Sequence, residues 1–111
     1  MGRHRVFCEW DVPRSVVNIV RSVCADYDRR KTEIERAQMS DIVLKVYADI
    51  NATVDRAMEE IEVSIREALL FDIAYGRGYD VCAASSYLSN NAYYRRKRKA
   101  VHDIAVGLHL I

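Results

Sequence analysis

Ser89-Asn90-Asn91-Ala92-Tyr93-Tyr94-Arg95-Arg96-Lys97-Arg98-Lys99-Ala100-Val101 is a basic run set inside a helical pattern. Ala100, Val101, Ile104, Ala105 and Leu108 continue it as an apolar set at helical spacing, so the charges belong to a packed helix and not to a solvated tail. Like charges three and four residues apart repel, which points to an anionic partner. Traced backwards, the apolar stripe runs through Lys97 to Tyr93. Tyr93 is therefore expected to be buried and Tyr94 mostly exposed, with Asn90, Asn91, Arg95 and Arg98 also pointing outward. Ser89 is a good N-cap for this helix.

Upstream, Gly76-Arg77-Gly78 is a strong break, and Gly76 suits the left-handed conformation that ends a helix. The chain restarts at Tyr79-Asp80 for a short apolar helix, Val81 to Tyr87, whose Ala83 and Ala84 permit close approach. Short helix, tight turn, longer basic helix is the plan of a helix-turn-helix.

The only proline is Pro13, and no glycine falls between Arg14 and Tyr75. No run of alternating β-branched residues is bounded by turns, so an all-α protein is expected. A first helix should begin at Asp11-Val12-Pro13, with Asp11 or Val12 as cap and Pro13 in the first turn, and bury Val16, Val20, Val23 and Tyr27. Val17, Ile19 and Cys24 broaden that stripe. The charged stretch Asp26 to Glu35 either extends this helix into solvent or frays. A second helix should start at Ser40-Asp41 and run to Ile73. One unbroken helix from Arg14 to Tyr75 would reach roughly 90 Å, so a break near Gln38 to Asp41 and a helical hairpin are more economical. Val43, Tyr47, Ile50, Val54, Ala57, Ile61, Ser64 and Ala68 alternate steps of four and three, which fits either an intrachain core or a dimer seam. The expected organisation is a long hairpin over residues 1–60, for dimerisation or partner contact, followed by a helix-turn-helix domain over 61–111.

The chain has 111 residues, half of them hydrophobic and 30% charged, enough for one modest core. Its net charge of +1 conceals segregation: acids dominate from Asp41 to Asp72, bases from Arg77 onward. Cys8, Cys24 and Cys82 are widely spaced and the histidines form no close pairs, so neither a metal nor another cofactor is expected. No signal segment or membrane-length apolar stretch is legible, which points to a cytoplasmic protein with reduced thiols and no membrane partner. No nucleophile–base spacing or phosphate loop speaks for an enzyme.

The tract from Ile61 to Leu108, above all Leu88 to Val101 with Ile104-Ala105, resembles the C-terminal part of the ArpU/RinA group of phage-encoded transcriptional regulators. That group is similar in its last helices to region four of sigma factors. The resemblance implies that Ser89 caps a recognition helix, that Tyr93 anchors it, and that Asn90, Asn91, Tyr94, Arg95 and Arg98 face DNA. Two features depart from the group: the apolar Val81 to Ala84, and Lys97 at a commonly apolar position. The combined expectation is a non-enzymatic regulator of a prophage or mobile element, acting on double-stranded DNA as a homodimer, with RNA polymerase as a further candidate partner. Arg96, Lys97 and Lys99 would hold phosphates while Asn91, Arg95 or Arg98 read bases. The alternatives are a helical inhibitor or adaptor whose basic helix binds an acidic protein surface, and an RNA-binding protein.

Overall fold

A computed structural model describes residues 11–76 and 88–111, all helix and short connection, with no strand among the described residues. The helices are α1 (Arg14–Ala25), α2 (Tyr27–Arg36), α3 (Asp41–Glu59), α4 (Val63–Tyr75) and α5 (Asn90–Gly107). The expected short helix Val81 to Tyr87, with Cys8 and Cys82, lies outside the described residues. Among the described residues no helix is long and apolar enough to cross a membrane.

α1 starts one residue later than its sequence suggests. Pro13 is the cap residue itself, offering its carbonyl to the N–H groups of Val16 and Val17 at 3.0 and 2.9 Å, with no side-chain cap. Val20 and Cys24 are buried, whereas Ile19 faces out. The charged stretch after Ala25 neither extends α1 nor frays. The chain turns at Asp26 into α2, which lies along α3 because Arg30 is buried between them. Its guanidinium donates to Asn51 Oδ1 at 2.7 Å and to the Val23 carbonyl at 2.6 Å, so a cation sits inside without an orphaned donor cost. Ala37 then takes the left-handed conformation that ends α2, and Ser40 caps α3 through the Val43 N–H. The break expected near Gln38 to Asp41 therefore lies at residues 37–40.

The expected single helix from Ser40 to Ile73 is two. α3 stops at Glu59, and Glu62 is extended (φ −55°, ψ 135°) before α4 begins. Neither glycine nor proline marks the break. It is held by side chains: Ile61 is buried in the core, and the Arg66 guanidinium donates to the Ile61 carbonyl at 2.8 Å, satisfying an acceptor freed at the helix end. The fold needs this corner, since a continuous helix from Asp41 to Tyr75 would run about 50 Å straight past α1. Turning at residues 60–62 brings α4 back along α1.

One core joins all of this. Val20 and Cys24 of α1, Val54, Ala57 and Met58 of α3, Ile65, Leu69 and Ile73 of α4, and Tyr93, Ala100, Val101, Ile104 and Ala105 of α5 form a single buried cluster that crosses the Glu60 position. α5 reaches α3 closely at Gly107, where a Cβ would stand 2.5 Å from Thr53 Cγ2. Only a residue without a side chain fits that approach.

Candidate functional site

α5 is built as a helix with two chemically different sides. Ser89 Oγ accepts from the Ala92 N–H at 3.1 Å, as its sequence position predicts, and fixes where the helix begins. Tyr93 is fully buried, and its hydroxyl donates to Asp72 Oδ2 at 2.5 Å. Asp72 is itself fully buried on α4, and its other oxygen receives Lys97 Nζ at 3.2 Å. The lysine that interrupts the apolar stripe is thus the cation that neutralises a buried carboxylate. Arg96 forms a forked pair with Glu62, Nε to Oε1 at 2.8 Å and Nη2 to Oε2 at 2.6 Å. These hydrogen bonds hold the Glu62 carboxyl below its ordinary range. Lys99 donates to Asp103 Oδ2 at 2.8 Å and stands 3.9 Å from Glu60 Oε1. Its hydrogen bond to Asp103 raises the Lys99 ammonium above its usual value.

The three cations assigned to phosphates by their sequence position are therefore each held in an ion pair within the chain. Glu62 and Asp72, the partners of Arg96 and Lys97, and Glu60, 3.9 Å from Lys99, come from the acidic stretch that sequence reasoning set apart from the basic end, whereas Asp103, the closer partner of Lys99, lies one turn on in α5 itself. Segregation of charge along so short a chain was itself the signal, because one core has to bring the two stretches together.

Asn91, Arg95 and Arg98 stand on the opposite side, exposed, with His102 partly exposed one turn beyond. Their four-three-four spacing makes one stripe on a helix of 3.6 residues per turn. Ser89 and Asn90 are exposed at the start of the same helix, whose first turn holds no acidic residue. Among the described residues, no carboxylate pairs with Arg95 or Arg98. Tyr94, expected mostly exposed, is half-buried at the edge of the core. It lines a hollow with Val12, Val17 and Val101, its ring meets Tyr93 edge to face at 5.3 Å, and Lys97 Nζ lies 5.7 Å from its centre. The start of α1, packed beside α5, covers it.

No protein-family model, curated protein or solved structure matches this chain. The chemistry of α5 consequently rests on its own geometry. Among the described residues no group of three His, Cys, Asp or Glu side chains converges on one point. Cys24 is buried, and burial pushes its thiol up to about 12, which keeps it in the unreactive protonated form.

Proposed function

We propose that this chain binds duplex DNA by laying the outer face of α5 in the major groove. The observation that carries the reading is the exposed stripe Asn91, Arg95 and Arg98, whose two cations have no carboxylate partner among the described residues. Arg and Asn are the side chains that pair bidentately with guanine and adenine edges, and a helix is the element the major groove admits. The ion pairs of Arg96 with Glu62 and of Lys97 with Asp72 add a reason for precision: they tie α5 to the start and the body of α4, fix its rotation about its own axis and so aim the stripe. The division of labour changes accordingly. Arg95 and Arg98 are the principal contacts, and Ser89 and Asn90 meet backbone phosphate at the helix start, while Arg96, Lys97 and Lys99 act through the ion pairs that hold them. The likeness of the Leu88 to Val101 tract to the ArpU/RinA regulators supports the same reading and extends it to transcriptional control.

Duplex binding measured across a salt series tests it. Affinity should fall with a log–log slope of about −0.9 per phosphate neutralised. Arg95→Ala and Arg98→Ala should each cost about 1 to 3 kcal/mol where they meet a base, and should reorder preferred sequences. Salt-independent affinity, or binding indifferent to both substitutions, overturns it. Binding to an acidic protein surface would leave duplex DNA untouched, and preference for single-stranded RNA would move the reading to RNA.

A further inference from the structure

The four-three register that runs through α3 divides in the fold. Its second half, Val54 and Ala57 with Ile61 beyond, is core. Its first members are only partly covered, Val43 being 36% exposed and Tyr47 and Ile50 half-buried, and the aliphatic residues flanking them, outside the register itself, stand further into solvent. Ile42 is 78% exposed and Val46 is 49% exposed, with Val43 and Ile50 beside them at the margin of the α2 contact. Branched aliphatic side chains placed four apart on the outside of a capped helix make a contiguous strip, which is informative where a single exposed Val or Ile is not. Along one border of the strip lie Lys45 and Asp49, joined at 3.3 Å, with 77% and 67% of their side chains exposed.

We infer that this strip is the seam of a homodimer in which the N-terminal half of α3 packs antiparallel against the same half of a second copy. A Lys and an Asp four residues apart form a self-complementary pair under a two-fold axis. When the axis passes midway between them, Lys45 of each copy faces Asp49 of the other, and Val46 lies one residue from the axis. A parallel pairing would instead set Lys45 against Lys45 and Asp49 against Asp49. The charge pattern therefore selects the second copy as occupant and fixes its direction. Half of one helix buries less than the ~800 Å² per partner of a standard interface, so association is expected to be weak and concentration-dependent.

The seam leaves α5 free. Gly107 sits beside Thr53, Lys99 near Glu60 and Arg96 on Glu62, so α5 runs back along the second half of α3 and its Asn91 end points away from Ile42. The inference stands independently of what α5 binds.

Sedimentation equilibrium of the full chain from about 10 to 500 µM is the test, the range a seam of this size calls for. A monomer–dimer equilibrium is expected. Ile42→Lys with Val46→Lys should weaken it at least tenfold while circular dichroism stays unchanged, both side chains being largely in solvent. Lys45→Asp alone should weaken it, and Lys45→Asp combined with Asp49→Lys should restore it. Val46→Cys should give an oxidative dimer beyond any formed by the parent chain, whereas Ile42→Cys, several residues from the axis, should not. A monomer throughout the range overturns the seam. So does a dimer that survives both lysine substitutions, a charge swap that fails to restore association, or cross-linking as efficient through Ile42→Cys as through Val46→Cys.

Discussion

The two flanks of α5 carry the same kind of side chain to opposite ends. On the sides facing α4 and the α3–α4 corner, Arg96 and Lys97 are fastened to Glu62 and Asp72, while Lys99, one turn beyond Arg95, is fastened to Asp103 of α5 itself. On the outer flank, Arg95 and Arg98 stand in water with no carboxylate partner among the described residues. Five consecutive basic residues thus serve two purposes, and the helical repeat sorts them. Cations within reach of acids become part of the scaffold, while Arg95 and Arg98, turned toward solvent, meet no carboxylate among the described residues. A basic run on a helix should not be counted as five equivalent contacts to a polyanion.

Substitutions that break the inner flank should be felt in stability. Tyr93→Ala removes a fully buried ring together with a donor to Asp72, and should cost about 3 kcal/mol or more in chemical unfolding. Asp72→Ala leaves Lys97 and the Tyr93 hydroxyl facing each other without their acceptor. The expected loss is about 2 to 3 kcal/mol, below the ~3–5 of a fully buried pair because Lys97 keeps 26% of its side chain in solvent. If both variants unfold like the parent, the inner flank is not the scaffold of α5.

Gly107→Ala tests where α5 is held along its length. The added methyl meets Thr53 Cγ2, and Thr53 is held by its hydroxyl on the Asp49 carbonyl at 3.0 Å, so relief requires movement of α5 or α3. A loss of about 1 to 3 kcal/mol is expected where alanine in an open helix would be stabilising. A stabilised variant would mean that the helices are further apart at this point.

Glu62→Gln sharpens the comparison at the exposed edge of the inner flank. The pair is more than a third exposed on the Glu62 side, so its worth should lie below about 1 kcal/mol and shrink with salt. Its sign with pH is fixed by the lowered carboxyl: the contribution is complete above the ordinary value of 4.5 and is lost as pH falls through the lower folded value. Parent and variant should therefore differ at pH 7 and converge as Glu62 becomes protonated in the folded chain. A gap that persists after that would assign the effect to something other than the ion pair.

The smallest change in stability belongs to the outer flank. Arg95→Ala and Arg98→Ala should each alter unfolding by no more than ~0.5 kcal/mol, the range of exposed positions without a partner. A larger loss would place either side chain in the scaffold and remove it from the proposed interface.

Much of this was legible in the chain. Ser89 and Ser40 announce their helices because a hydroxyl at the N-cap is chemically sufficient to satisfy an orphan N–H, and Gly76 ends α4 at φ 69° because little else adopts that conformation cheaply. The burial of Tyr93 followed from the periodicity of Ala100, Ile104 and Leu108. The corner at residues 60–62 was not legible, since it is made by Ile61 entering the core and by Arg66 reaching back to a carbonyl, neither of which is a local preference.

Periodicity, capping and composition determine that the described chain is helical, where α3 and α5 begin and which side of α5 faces inward, because those depend on neighbours within a few residues. Only the tertiary structure decided which acids Arg96 and Lys97 would find, that Arg30 would be buried against Asn51, and that Tyr94 would be half-covered by α1. Those pairings join residues 21 to 77 positions apart in sequence, and an electrostatic or packing contact depends on the distance through space that only the folded chain sets.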